Sequence, residues 1–115
     1  MISNGSAFSD LIGEEISAVC FVRDFIELHF SGPILRGLAY PLVLVSGEQF
    51  DFAQPSWRNA MCLIIGAKVC DVEFVENQFL RLATTNGCEV IFPVSPSEGE
   101  SIHFVPQVNG PVQIW

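Results

Sequence analysis

Glu27 and His29 stand two residues apart in the run Phe25-Ile26-Glu27-Leu28-His29-Phe30, with Asp24 just before it. On an extended strand, side chains two apart leave the same face about 7 Å apart. A carboxylate in that position can orient an imidazole as a general base. The same spacing also makes the polar face of an ordinary half-solvated strand. No nucleophile or oxyanion donor can be set beside the pair from sequence, so no residue is assigned a catalytic role.

Other groups offer less. Glu48 and Glu100 each follow a glycine at matched positions, and two carboxylates near a twofold axis could hold a hard cation, although such ions usually take more oxygen ligands. Asp51 and His103 are a second matched pair and a weaker one. Cys20, Cys62, Cys70 and Cys88 show no Cys-x-x-Cys spacing and lie in apolar stretches, which reads as buried, reduced thiols. Cys62 would be a nucleophile only beside a histidine. Zinc-ligand spacing, a glycine-rich phosphate loop and a Gly-x-Ser-x-Gly elbow are all missing. Neither metal nor cofactor is expected.

The elements that would position these residues are set out by a repeat. Ile12-Gly13 and Val19, Phe21 and Val22 reappear as Ile65-Gly66 and Val72, Phe74 and Val75, 53 residues later. Pro41, Gly47, Glu48 and Phe52 recur as Pro93, Gly99, Glu100 and Phe104, 52 residues later. A period of this length implies one supersecondary unit used twice.

Each unit opens with a short helix, Ser6–Ile12 ending at Gly13 and Trp57–Ile65 capped by Ser56 and ending at Gly66. Strands Ile16–Val22 and Phe25–Phe30 meet at a two-residue turn, Arg23-Asp24. That register sets Phe21 against Ile26 and Val19 against Leu28 on one face, with Cys20 opposite Glu27 and Ala18 opposite His29 on the other. In the second unit a three-residue loop, Glu76-Asn77-Gln78, sets Phe74 against Leu80, Val72 against Leu82 and Glu73 against Arg81. Third strands follow at Ile34–Val45 and Cys88–Val94, the latter after Asn86-Gly87. Fourth strands follow at Glu48–Phe52 and Ser101–Val105, and a strand-like tail ends the chain at Trp115.

The expected fold is therefore α+β, mostly antiparallel β. A helix plus a four-stranded meander is used twice, giving an eight-stranded barrel or a two-sheet layer with two short helices. Residues 1–115 form one domain, with repeats over about 6–54 and 55–107 and a tail over 108–115. Phe21 and Phe74 should be equivalent buried positions. Strand Ile16–Val22 is apolar on both faces, so its second face should be covered by a helix, the tail or another subunit.

Composition limits the partners. Hydrophobic residues make up 50% of the chain and charged residues 16%, against roughly 25% in an average domain, a shortage of polar cover that points to a subunit interface or a cavity. With a net charge of −8 and five scattered basic residues, neither nucleic acid nor an anionic membrane is an expected partner. The N-terminal residues lack the basic and apolar regions of a signal peptide, and with reduced thiols the expected location is the cytosol.

The function these observations imply is that of a small acidic interaction protein without enzymatic activity, working as a homodimer and able to bind a further protein. A small-ligand-binding protein is the alternative, with an apolar cavity between the repeats lined by Phe25, Phe30, Tyr40, Trp57 and Phe79. An enzyme built on Glu27 and His29 is the third reading. Polar site candidates are Glu27, His29, Glu48 and Glu100.

Overall fold

Short runs, most of them alternating large apolar with polar or small residues, build ten strands among the residues that the computed structural model describes, 8–95, 101–106 and 112–115. They are β1 (Ala18–Val22), β2 (Phe25–His29), β3 (Ile34–Gly37), β4 (Leu42–Val45) and β5 (Glu48–Phe50), then β6 (Val69–Val75), β7 (Phe79–Thr84), β8 (Cys88–Pro93), β9 (Ile102–Val105) and β10 (Gln113–Ile114). Among the described residues one helix, α1 (Trp57–Cys62), separates the two groups, and one 3-10 turn, Ser9–Leu11, precedes them. The expected start of the first helix at Ser6, Glu100 and residues 108–111 of the tail lie outside the described residues.

All strand pairing is antiparallel, in two five-stranded sheets. The first runs β1-β2-β3-β9-β10 and the second β5-β4-β8-β7-β6. The sheets do not close, so the arrangement is the two-sheet one and not a barrel. Both hairpin registers follow the side-chain pattern. Phe21 faces Ile26 and Cys20 faces Glu27 across the first turn, and Phe74 faces Leu80 and Glu73 faces Arg81 across the second. Asn77 takes a positive φ of 65°, which lets the three-residue loop close.

The four-stranded meander does not form in either half. The run expected as one strand, Ile34–Val45, breaks into β3 and β4, which belong to different sheets. Pro41 sits at the break, where it has no N–H to give a ladder; its carbonyl instead accepts a 2.9 Å hydrogen bond from the Trp57 indole. Each sheet thus takes three consecutive strands from one half of the chain and its remaining two from the other. The offset of 52 does not describe this arrangement. Phe104 is fully buried in β9, whereas Phe52 lies beyond β5, exposed and stacked on Tyr40.

The two sheets meet at a corner just before β1 and β6. Gly13 N–H donates to Val69 O and Gly66 N–H to Ile16 O, both at 2.7 Å. Ile16 N–H donates to Ala67 O at 2.9 Å and Val69 N–H to Glu14 O at 3.0 Å, around an antiparallel bridge between Glu15 and Lys68. Gly13 and Gly66 share a φ of +91°, a conformation that glycine adopts without a Cβ penalty.

The inner faces share one core containing Ile26, Leu28, Leu35, Val43, Leu80, Leu82, Val90, Phe92, Ile102 and Phe104. Phe8 packs on Phe74 of β6, and Trp57 packs edge-on against Phe21 of β1. Phe21 and Phe74 occupy matching positions in their hairpins but are half-buried, because each lies on the edge strand of its sheet. Ser56 makes no capping bond with its side chain. The turn before α1 is closed by Asp51, whose Oδ1 accepts from Ala53 N–H at 3.0 Å, and by Trp57 N–H donating to Gln54 O at 3.1 Å.

Gly37 is inward-facing, and a Cβ there would lie 2.5 Å from the ring of fully buried Phe92. Gly37→Ala should destabilise the protein by about 1–3 kcal/mol in chemical denaturation, as overpacking does. Gly37→Ala combined with Phe92→Leu should cost less than the sum of the two single changes. Additive losses would mean that the ring is not what constrains the position.

Candidate functional site

The outer face of the first sheet carries a row of side chains that pairing brings side by side. Cys20 of β1 faces Glu27 of β2, Glu27 faces Arg36 of β3, Arg36 faces His103 of β9, and His103 faces Ile114 of β10. His29 lies on the same face, one pleat along from Glu27. The strands place these groups by simple alternation, because Ile26, Leu28, Leu35, Ile102 and Phe104 occupy the positions between them and point into the core.

Glu27 is the hub. Its Oε1 lies 2.9 Å from Nε2 of His29. Its Oε2 accepts from both Nε of Arg36, at 2.8 Å, and a terminal nitrogen of the same guanidinium, at 2.7 Å. A second terminal nitrogen of Arg36 donates to Nδ1 of His103 at 3.3 Å. The Glu27 side chain is only 15% exposed. Burial alone would push its carboxyl up, but the hydrogen bonds from His29 and Arg36 and the charge of Arg36 outweigh that and hold it below the ordinary carboxylate range. Arg36 also lies over the Phe25 ring, 4.9 Å from its centroid.

The cover expected over the second face of β1 is not found among the described residues. The 3-10 turn packs against β6 and α1 against β4, while the tail strand β10 adds beside β9 at the sheet edge, where unpaired backbone groups are available. The outer face is left open, with Val22 39% and Ile114 52% exposed.

The second sheet has a different outer face. Arg81 binds Asp71 at 2.6 Å, Glu73 at 3.1 Å and Glu89 at 3.5 Å, leaving that cluster negative. Burial would lower the Arg81 pKa, but its hydrogen bonds to Asp71 and Glu73 raise it further above its usual range. Ala83 stands in the second sheet where His29 stands in the first.

The remaining candidates disperse. Phe25 is on the outer face of the first sheet, Phe30 is buried at the end of β2, and Phe79 begins β7 on the outer face of the second sheet. Only Tyr40 and Trp57 meet, their ring centroids 5.5 Å apart in a cluster with Phe52. The other three lie apart, on the faces just described. An open cavity of about 250 Å³ lies between α1 and the β4–β5 hairpin, lined by Val45, Glu48, Phe50, Ala60 and Leu63 with Ser56 and Asn59 at its polar side. Glu48 is exposed there. Asp51 and His103 are not brought together, since Asp51 follows β5 and His103 is within β9 of the other sheet.

Sequence reasoning missed Arg36, and it matched His103 with Asp51 in place of Arg36. Their partnership with Glu27 depends on β3 pairing with β9, a contact across 67 residues that no local pattern encodes. It also placed all four cysteines inside. Only Cys88 is buried; Cys20 is half-buried, Cys62 lies on the solvent side of α1, and Cys70 sits exposed where the β6–β7 register shifts. No protein-family model, curated protein or solved structure matches the chain.

Burial pushes the Cys88 thiol up, and its hydrogen bond with Thr84 only partly offsets this. Under mildly alkaline iodoacetamide treatment read by peptide mass spectrometry, Cys62 and Cys70 should be labelled early and Cys88 only on unfolding. Early labelling of Cys88 would show that the strand opens readily.

Proposed function

We propose that this chain is a non-enzymatic interaction protein that works as a homodimer joined through the outer face of its first sheet. The distribution of charge carries the reading. The chain has a net charge of −8, yet among the described residues the charged side chains of this face are Glu27 and Arg36, which neutralise each other. Two copies meeting there avoid the like-charge repulsion they would meet through the acidic cluster around Arg81. Phe25, Ile34, Val22, Val105 and Ile114 supply apolar area around the polar row. The acidic outer face of the second sheet is left for a further, basic protein partner. Four free cysteines suit a reducing compartment such as the cytosol.

Light scattering at micromolar concentration should give about twice the 12.7 kDa chain mass, for an interface upwards of about 1,200 Å² in total. Ile34→Asp should yield a folded monomer by placing an unpaired carboxylate on that face. A wild-type monomer mass would defeat the reading, and so would a dimer indifferent to Ile34→Asp. The cavity beside α1 favours a second reading, a small apolar ligand held between the two halves, although at about 250 Å³ it is below the usual ligand-pocket range of about 300 Å³ and more.

We also infer that the chain is an internal duplication whose two units exchange their last strands. The reciprocal bonds of Gly13 and Gly66, and of Ile16 and Val69, support this, because both pairs differ by the same 53 residues as the sequence repeat.

A further inference from the structure

We propose that Cys20, Glu27 and His29 form a zinc site on the outer face of the first sheet. Their ligand atoms, one thiol sulfur, one carboxylate oxygen and one imidazole nitrogen, all lie within 4.8 Å of one another. They come from two adjacent strands, with Cys20 directly opposite Glu27 and His29 on the same face, so backbone pairing fixes their spacing.

Donor chemistry selects the ion. Sulfur and nitrogen donors disfavour calcium and magnesium, which take oxygen ligands in larger number. Thiolate, imidazole and carboxylate together are donors that zinc accepts, and three protein ligands leave a fourth position for water. With metal–ligand bonds of about 2.0–2.3 Å, tetrahedral donors sit about 3.3–3.6 Å apart. Oε1 of Glu27 and Nε2 of His29, now 2.9 Å apart, need to spread by a few tenths of an ångström, and the Cys20 thiol needs to close by at most about 1.2 Å.

Arg36 does not compete for the ion. Both of its bonds to Glu27 go to Oε2, and the oxygen facing His29 is Oε1. The guanidinium therefore acts as an orienting partner behind the carboxylate, as hydrogen-bonded outer groups do in metal sites. The donors all belong to one chain, so the site does not require the dimer.

Cobalt(II) titrated into the full-length, metal-free protein is the test, with zinc as competitor. One equivalent should bind, giving the visible absorption of four-coordinate cobalt and a thiolate-to-cobalt charge-transfer band, both removed by zinc. Cys20→Ser should abolish the charge-transfer band, His29→Ala should weaken binding at least about 100-fold, and Arg36→Gln should weaken it about 10- to 100-fold, the range for outer partners. Cys70→Ser, which alters an exposed thiol remote from the row, should leave the spectrum unchanged. Circular dichroism of each variant separates loss of the ligand from loss of the fold. Absence of a charge-transfer band in folded wild-type protein would overturn the proposal, as would a band that follows Cys70 in place of Cys20. Light scattering of the same samples reports the oligomer separately.

Discussion

The two sheets depend on the short crossing in which Glu14–Ile16 runs antiparallel to Ala67–Val69. Four backbone hydrogen bonds hold it, and each half of the chain supplies two of the donors. At the end of the crossing Ile16 and Val69 are both buried, and β1 and β6 then diverge into different sheets. Because β1 and β6 begin from one fixed corner, the inner side chains of the hairpins that follow them share one core, to which Phe8 and Trp57 add. Gly13 and Gly66 make the approach possible, since each turns the chain at φ +91° immediately before it enters the crossing. Exchange of the later strands then locks the halves together. β4 pairs with β8 and β9 with β3, so each sheet is completed by strands distant in sequence. Such long-range pairing delays the gain from contacts until loop-closure entropy has been met, a feature of slow, cooperative folding.

This ordering explains what was legible in the residues. Register within each hairpin could be read because alternation allows one pairing that keeps large apolar side chains on a single face. The extra residue in the second turn followed from the same requirement, with Glu73 and Arg81 falling opposite each other. Topology was not legible, because the pattern of β4 suits either sheet: Val43 points inward wherever the strand lies. Pro41 marked a bend without stating that the strand beyond it changes sheets. The fourth-strand repeat misled for a related reason. Pro, Gly and Glu recur wherever strands end in turns, and so Phe52 and Phe104 were matched although one is exposed and the other fully buried. In the site, Cys20, Glu27 and His29 were within reach of local reasoning, whereas Arg36 and His103 needed the β3–β9 pairing.

The polar row on the first sheet is not something the architecture requires. The corresponding row of the second sheet runs Glu73, Arg81, Ile91, Leu42, so its third and fourth places hold aliphatic side chains in the same kind of strand position. A partly buried charge pair contributes little net stability, because the desolvation of both ions offsets most of their attraction, and well-packed apolar residues commonly serve as well or better. Glu27 shows the cost directly, since burial acts on it as the largest opposing influence and is overcome only by two hydrogen-bonding partners. Once present, the network is interdependent. Removing Arg36 would leave Glu27 under-satisfied, and removing Glu27 would leave a guanidinium held only against Phe25 and His103. An arrangement that the fold does not need and that adds little stability to the isolated chain is best understood through what the open face engages. A thiol, a carboxylate and an imidazole gathered there suit an ion, and a charge-neutral surface on an otherwise acidic chain suits a second copy of itself.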